Sequence, residues 1–179
     1  MLKSVFSGFG GQGVLMMGYV LATAGMHEDK HVTFLPAYGA EVRGGTANCT
    51  VVVSDEEIAS PVASSPEIVV AMNYPSLVKY QDMIKSGGVM FLNSDLISDI
   101  PDLENCTKIL VPANSIAHDM GNDRVLNMVM LGAMNAFSRT VGDDSLAAAV
   151  ETVLAGKKAL VDINRSALTK GAEYFAAMA

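Results

Sequence analysis

The chain has 179 residues, 50% of them hydrophobic, with twelve Met, no Trp and a net charge of −7 at pH 7. This length suits one domain with a sizeable core, and we predict a single domain over residues 1–179. The acidic balance, without a cluster of Lys and Arg, argues against a nucleic-acid partner, and two cysteines, Cys49 and Cys106, are too few for the four thiolates of a [4Fe–4S] cluster.

Strand and helix patterns alternate along the chain. In chain order they predict a strand at Lys3–Ser7, a glycine turn, a helix at Val14–Ala24, strands at Val32–Leu35, Thr46–Val53 and Ile68–Met72, a helix from Pro75 to Gly87-Gly88, strands at Val89–Leu92 and Lys108–Val111, a turn near Ser115–Met120, and helices at Arg124–Thr140, Asp144–Ala155 and Asp162–Ala177. Three boundaries depend on single residues, which are Gly25 as C-cap of the first helix, Pro36 as the end of the second strand and Asp162 as N-cap of the last helix.

This alternation predicts an α/β fold, with a Rossmann-like, mostly parallel sheet, helices on both faces and a helical C-terminal part. The Thr46–Val53 strand enters from a loop without an intervening helix, so we expect one antiparallel strand there. Binding crevices in open sheets lie beyond the carboxyl ends of the strands. Because Gly8–Gly13, Asn73 and Asn93-Ser94 all follow strands, we expect them to share one rim.

The glycine turn, SGFGGQGVLM at residues 7–16, fits the spacing G-x-G-x-x-G between a strand and a helix. The dinucleotide fingerprint is incomplete, because the second strand ends in Leu35-Pro36 where an acidic residue should hold a ribose hydroxyl. The phosphate-cradle motif also fails, since Val14 and Leu15 stand where a Lys and a hydroxyl residue are needed.

Two interpretations of the turn therefore stay open. In the first, the glycines pack the helix tightly on the strand without a nucleotide, and Gly18, Ala22 and Gly25 continue a ridge of small residues along the helix. In the second, backbone N–H groups at the helix N-terminus hold an anion or a cofactor at the rim. Gln12 would stand at the tip of this turn, offered to a coenzyme or to a partner chain.

A second polar cluster, YGAEVRGG, occupies residues 38–45. In an extended chain Glu41 and Arg43 point the same way, so they form either a pair that anchors the loop or faces a carboxylate substrate, or an exposed pair that contributes under ~1 kcal/mol. Tyr38, Gly44 and Gly45 suggest a shaped contact surface.

Neither a metal site nor a catalytic residue is predicted. His27 and His31 lie four residues apart in the segment HEDKH, but the charges around them favour a solvated turn over a metal pair. His118 beside Asp119 has no nucleophile near it in the sequence, so general-base chemistry is not assigned to it.

The apolar, Met-rich composition favours burial against other chains, because Met adapts well to such contacts. A Met-rich core in an ordinary monomer is the alternative. No signal peptide is apparent, and the longest apolar stretches, Val14–Met26 and Val125–Phe137, are interrupted and shorter than the ~20 residues of a membrane span. We therefore expect a cytoplasmic chain without membrane contact.

Five segments follow one another in a specific order: GFGGQGVLMMG, YGAEVRGGTANCTVVVSD, IASP, AMNYPSLVKY and GGVMFLNSDLI. They resemble the γ subunit of 2-oxoacid:ferredoxin oxidoreductases, in the pyruvate:ferredoxin oxidoreductase superfamily, and above all the short γ chains of the 2-oxoglutarate and branched-chain 2-oxoacid enzymes. The likeness is dense from Ser7 to Ile97 and looser through the helical C-terminal part, for example in DINRSALTKGAEY.

This resemblance implies an accessory subunit and not an independent enzyme. The family's enzymes oxidatively decarboxylate a 2-oxoacid on thiamine diphosphate, pass electrons through iron–sulfur clusters to ferredoxin and form an acyl-CoA. The chain lacks the thiamine motif Gly-Asp-Gly, to which Gly142-Asp143-Asp144 is the nearest approach. The resemblance therefore implies that thiamine diphosphate, Mg and [4Fe–4S] belong to α and β subunits and to a possible ferredoxin-like δ subunit, that coenzyme A is a co-substrate, and that this chain alone binds no cofactor.

The resemblance also implies site residues in the family's motif loops. Those expected at the coenzyme A approach or at the interface with catalytic subunits are Gly10, Gly11, Gln12, Gly13, Glu41, Arg43, Gly44 and Gly45, to which rim and surface reasoning add Tyr38, Asn73 and Asn93. Asp95 stands where a small hydroxyl residue is expected, which argues against direct binding at that end. Two other functions stay open, a stand-alone Rossmann-like nucleotide-binding oxidoreductase and a purely structural interface module.

Overall fold

The structure is a computed structural model that describes residues 1–39 and 45–178. Its strands are β1 (Leu2–Phe9), β2 (His31–Tyr38), β3 (Thr46–Ser54), β4 (Ile68–Ala71), β5 (Gly88–Asn93) and β6 (Cys106–Val111). Its helices are α1 (Val14–His27), α2 (Tyr74–Tyr80), α3 (Ala113–Asp119), α4 (Leu126–Ser138), α5 (Asp143–Val153) and α6 (Lys158–Met178), with a 3₁₀ turn at Asp123–Val125. In these ranges no helix has the length and the apolarity that a bilayer crossing demands.

The strands form one sheet in the order β2-β3-β1-β4-β5-β6. β1, β4, β5 and β6 pair in parallel, whereas β3 runs antiparallel to both β1 and β2. The predicted mostly parallel α/β sheet is confirmed, and β3 is its expected antiparallel strand. Because the other five strands point the same way, the loops that leave β1, β4 and β5 gather at one edge of the sheet.

Two apolar layers cover the sheet, so the prediction of helices on both faces is confirmed. The larger layer packs α1 and α3–α6 on one face, and the smaller packs α2 and neighbouring loops on the other. In the larger layer the ring of Phe91 meets that of Phe137, which in turn meets Phe175 of α6, with centroid separations of 5.8 and 5.9 Å. Edge-to-face pairs of this kind contribute about 1 kcal/mol beyond the burial of their surface. They join the C-terminal helix to the centre of the sheet.

The helix α1 packs on β2 and β3 through small residues, as predicted. A Cβ at Gly18 would overlap the Cys49 sulfur and approach Val51 Cγ2 to 3.1 Å, and a Cβ at Gly25 would approach Val32 Cγ2 to 2.8 Å. Gly25 lies inside the helix, so the prediction that it caps α1 is wrong. The reason is that tight packing on β2, and not a reversal of the chain, requires a glycine at this position.

The second strand continues through its proline. The prediction that Pro36 ends the strand is wrong, because β2 runs on to Tyr38 and pairs with β3 along its whole length. β2 is an edge strand, and proline is tolerated there because the outer side of the strand needs no N–H donor.

Two helix boundaries also differ from the prediction. α2 ends at Tyr80 and not at Gly87, since the residues after it form a hydrogen-bonded turn in which the Tyr80 carbonyl accepts from the N–H groups of both Met83 and Ile84. α6 begins at Lys158, so Asp162 lies inside the helix instead of at its N-cap. The Lys-Ala-Leu run before Asp162 is itself a good helix former, which accounts for the earlier start.

The end of α1 is tied to the connection between α4 and α5 by Glu28. Its carboxylate accepts a hydrogen bond from the Gly142 N–H at 2.6 Å and pairs with Lys30 Nζ at 2.8 Å, while Lys30 donates to the Thr140 carbonyl at 2.6 Å. Burial by itself would raise the pKa of the Glu28 carboxyl, but hydrogen bonds from Lys30, Gly142 and Ser145, together with the charge of Lys30, outweigh that effect and hold the pKa below its ordinary value.

We expect Glu28 to stabilise the fold in a pH-dependent way. A carboxyl group whose pKa is lowered by folding contributes stability above its unfolded pKa, about 4.3 for glutamate, and this contribution is lost as the pH falls through the folded value. The free energies of unfolding of wild type and Glu28→Gln, measured in urea, should differ by about 1 kcal/mol at neutral pH and converge below about pH 4. A difference that persists unchanged into acid would contradict this role of the carboxylate.

Candidate functional site

The candidate site lies where the chain leaves β1 and β4 at the carboxyl edge of the sheet. α1, which follows β1, packs on one face of the sheet, and α2, which follows β4, packs on the other. Ligands of open α/β sheets bind in the crevice between strands whose following helices diverge in this way. The expectation that Gly8–Gly13 and Asn73 share this rim is confirmed, since Asn73 Nδ2 donates a hydrogen bond to Gln12 Oε1 at 3.0 Å.

The turn between β1 and α1 depends on backbone conformations that favour glycine. Gly11 and Gly13 have φ values of 99° and 71°, a region in which L side chains are strained. A Cβ at Gly13 would also come within 2.7 Å of Asn127 Cγ, whose amide nitrogen donates to the Gly13 carbonyl at 3.2 Å. The Gly10 N–H donates to the Gly45 carbonyl at 3.0 Å, so the turn is tied to the start of β3.

Gln12 fills the crevice with its own side chain. Its Oε1 accepts hydrogen bonds from the Phe9 N–H at 2.7 Å and from Asn73 Nδ2 at 3.0 Å, and its Nε2 donates to the Met72 carbonyl at 3.4 Å. The sequence predicts that the Gln12 side chain points outward from the tip of the turn. In the structure the amide is half-buried and points inward, toward the ends of β1 and β4. A dinucleotide seated between β1 and β4 would have to break these bonds.

The first turn of α1 presents backbone donors to the rim. Gly13 is the N-cap and supplies no side-chain cap, and no residue within 1–39 or 45–178 accepts a hydrogen bond from the N–H groups of Val14, Leu15 or Met16. Donors aligned with the helix dipole favour an anion. Beside them Asn127 is 5% exposed, and its Oδ1 has no hydrogen-bond partner in the part of the chain that the structure describes.

Asn93 lies at the end of β5, further along the same edge. It is fully buried, its Nδ2 donates to Asn114 Oδ1 at 2.8 Å, and its Oδ1 finds no partner among the described residues. Nearby, the two carboxylate oxygens of Asp95 accept hydrogen bonds from the Ser115 N–H and Oγ at 2.8 and 2.9 Å. The carboxylate thereby occupies the N-terminus of α3, which supports the prediction that direct ligand binding does not occur at that end.

The remaining predicted site residues belong to the segment that connects β2 to β3. Tyr38 ends β2 and is 74% exposed. Gly45 accepts the hydrogen bond from Gly10 described above. Glu41, Arg43 and Gly44 lie outside the described residues, so the paired side chains of Glu41 and Arg43 stay a prediction.

Sequence reasoning did not find Asn127 or Asn114. Both are in helices that begin at the same edge as the glycine turn, and Asn127 is 114 positions from Gly13 in the chain. The one local signal for Asn127 is a polar residue within the otherwise apolar run that opens α4, where it is buried. A buried polar residue indicates a specific partner without saying which one.

The segment HEDKH has the spacing H-E-x-x-H of some zinc sites, but the structure does not give it the continuous helix of that motif. That motif requires both imidazoles on one face of a helix, but α1 ends at His27, Asp29 has a φ of 55° and His31 opens β2. Across the ranges 1–39 and 45–178, no three His, Cys, Asp or Glu side chains gather closely enough to hold a metal ion.

Comparison with known proteins decides the family. The model for pyruvate ferredoxin/flavodoxin oxidoreductase matches residues 3–174. The chain belongs to this family. The resemblance seen in the five sequence segments is therefore confirmed.

Two relatives match the chain over different shares of their own lengths. Ketoisovalerate oxidoreductase subunit VorA of Methanothermobacter marburgensis is 40% identical over 169 residues, which are 94% of this chain and 35% of VorA. The 2-oxoglutarate synthase subunit KorC of the same organism is 37% identical over 154 residues, which are 82% of this chain and 81% of KorC. The chain thus spans about a third of VorA and most of KorC.

A solved gamma subunit of a keto/oxoacid ferredoxin oxidoreductase has the same fold. The gamma subunit of a keto/oxoacid ferredoxin oxidoreductase from Geobacter sulfurreducens PCA matches with a TM-score of 0.85 at 30% identity, over 99% of both chains. The sheet and helices described above therefore match the fold of that gamma subunit.

Proposed function

We propose that this chain is the accessory gamma subunit of a 2-oxoacid:ferredoxin oxidoreductase, which oxidatively decarboxylates 2-oxoglutarate or a branched-chain 2-oxoacid to an acyl-CoA and reduces ferredoxin. The family match across residues 3–174 carries this proposal. The names of the relatives support the same substrate classes, because VorA belongs to a ketoisovalerate oxidoreductase and KorC to a 2-oxoglutarate synthase.

In this proposal thiamine diphosphate, Mg and the [4Fe–4S] clusters belong to partner subunits, the α and β subunits among them. The cysteines of this chain do not fit a cluster, which needs four thiolates, because there are two of them. Cys49 is buried, and desolvation raises the pKa of its thiol to about 12, while Cys106 lies on β6. No redox step is therefore assigned to the residues of this chain.

The outer side of α1 and the neighbouring edge strand β2 suit a partner subunit, and we call them the α1–β2 face. No charged residue occurs from Ser4 to Met26. On α1, Tyr19 and Met26 are 50% and 57% exposed, and on β2, Tyr38, which shares the α1-facing side of the strand with Phe34, is 74% exposed. The sheet and α5 already cover most of α1, so the surface left for a partner consists of these exposed apolar side chains beside an uncharged edge strand, and such a strand tends to be covered. This supports an obligate partnership.

The rim at the carboxyl edge of the sheet faces coenzyme A or the catalytic subunits in this proposal. The open N–H donors of Val14, Leu15 and Met16 favour a phosphate or carboxylate group there. Arg43, which belongs to the family's motif loop two residues before Gly45 in the sequence, would supply a cation to the same group.

Purification from the native host tests the subunit proposal. The tagged chain is expected to bring down larger chains that carry thiamine diphosphate and iron, and the recovered complex should reduce ferredoxin with a 2-oxoacid and coenzyme A. Recovery as a lone, stable, cofactor-free monomer would overturn the proposal. A calorimetric titration with nicotinamide and flavin nucleotides tests the stand-alone oxidoreductase instead, and the crevice filled by Gln12 predicts no heat.

Arg43→Ala in the reconstituted complex separates a substrate-facing rim from a purely structural module. Loss of a charge-assisted contact with an anionic group is expected to raise KM for coenzyme A about tenfold, with the subunits still assembled. An unchanged KM and turnover in the intact complex would favour the structural module.

A further inference from the structure

We infer that Gln12 is a positioning residue, which holds the glycine turn so that the first-turn N–H groups of α1 are preset for an anionic group of the substrate. This inference rests on the proposed function of the rim. It assigns to Gln12 a role through the backbone of the turn and not a contact with the ligand.

The first step is the place of the side chain between two strands. Gln12 Oε1 accepts from the Phe9 N–H at the end of β1, and Nε2 donates to the Met72 carbonyl just beyond β4. One side chain therefore spans the crevice between these strands. Both acceptor sites of Oε1 and one of the two Nε2 donors are engaged inside the chain, so one N–H of the amide is left for any other contact.

The second step is the intrinsic freedom of the turn. Gly10, Gly11 and Gly13 give this segment more conformational freedom than any other residue type would. Besides Gln12, the described residues brace it through the bond from Gly10 to Gly45 and the bond from Asn127 to Gly13. If the turn were flexible, fixing its N–H donors during binding would cost conformational entropy and weaken the affinity for the ligand. A brace that holds these donors in place before the ligand arrives avoids that cost and strengthens binding.

The third step is the connection to α2. Asn73 is 5% exposed, its Nδ2 donates to Gln12, and its Oδ1 accepts from the Ser76 N–H at 3.0 Å as the N-cap of α2. Ser76 Oγ in turn bonds Ser7 Oγ of β1 at 3.0 Å. The brace is thus anchored in a buried network and not in a mobile surface side chain.

Two variants of Gln12 separate positioning from charge. Gln12→Ala removes the brace, and Gln12→Glu keeps the acceptor for the Phe9 N–H and for Asn73 but places a negative charge beside the α1 donors. In the reconstituted complex, Gln12→Ala should raise KM for coenzyme A about tenfold with kcat within about twofold, because a binding contribution equal in ground and transition states affects KM alone. Gln12→Glu should also raise KM for coenzyme A, and this increase should become smaller when salt is added, because salt screens the repulsion between two negative charges. The increase in KM for Gln12→Ala should not depend on salt.

Amide hydrogen exchange gives a readout without turnover. In the complex without coenzyme A, the amides of Gly10 and Met17, which donate to the Gly45 and Gly13 carbonyls, should exchange at least about tenfold faster in Gln12→Ala than in wild type. Gln81→Ala, which changes a glutamine at the end of α2, should match wild type in exchange and in KM. Unchanged exchange and unchanged KM in Gln12→Ala, with coenzyme A bound normally by wild type, would overturn the inference. Absence of any coenzyme A dependence in the wild-type complex would instead overturn the proposed function.

Discussion

Replacing Gly171 by Ala is expected to lower the free energy of unfolding by about 3 kcal/mol. Gly171 lies in α6 where it crosses α4, and a Cβ there would come within 2.8 Å of the Val129 carbonyl carbon and would overlap its oxygen. At the same crossing, a Cβ on Gly132 would meet the Leu168 carbonyl in the same way. Ala in a helix interior gains about 1 kcal/mol over Gly, but the clash is with backbone, which cannot rotate away, so it outweighs this gain.

Urea unfolding followed by far-ultraviolet circular dichroism measures this effect. The neighbouring Lys170→Ala serves as the control, because Lys170 is exposed and pairs with Glu173 one turn along the helix surface, so its loss should change stability by less than about 0.5 kcal/mol. A Gly171→Ala chain that unfolds at the wild-type urea concentration would show that α4 and α6 do not cross at this distance.

The second large effect is expected at the α1–β2 face. Tyr19→Asp would place a charge on a surface that the proposed function buries against a partner subunit, and an unpaired buried charge costs about 3 kcal/mol or more. This corresponds to a weakening of subunit affinity of roughly a hundredfold. Co-purification of the tagged variant with the larger subunits, quantified against wild type, measures the loss.

Two further variants make this result specific. Val78→Asp introduces the same charge at a residue of similar exposure on α2, on the opposite face of the sheet, and should leave assembly unchanged. Met26→Lys tests the α1–β2 face without disturbing the ring contact between Tyr19 and Phe34, whose centroids are 5.8 Å apart. Normal recovery of the complex with both Tyr19→Asp and Met26→Lys would show that another surface makes the subunit contact.

Much of the fold was predictable because its signals are local. Continuous apolar runs such as Ile68–Met72 mark buried parallel strands, and the strand–turn–helix pattern around Gly8–Gly13 locates the rim. The wrong boundaries arise where tertiary position overrides a local rule. Pro36 is tolerated because its strand lies at the edge of the sheet, and Gly25 serves packing because β2 passes close to it.

The candidate site was predictable only in part, for the same reason. Gln12, Asn73 and Asp95 were visible in the sequence as polar residues near the ends of strands, but their partners were not. Gln12 meets Asn73 across 61 positions, and Asp95 meets Ser115 across 20. Local sequence patterns indicate which residues follow a strand. The direction in which a polar side chain points depends on the distant group with which it forms a hydrogen bond.

By itself, the sequence determined the α/β class, the antiparallel β3, the glycine turn and the family, because each depends on residue types at short, fixed spacings. The tertiary structure decided that Gln12 turns inward, that Asp95 occupies the end of α3 and that Asn127 reaches the turn. These outcomes follow from hydrogen bonds between segments far apart in the chain, and such bonds form only once the sheet has brought the ends of its strands to one edge.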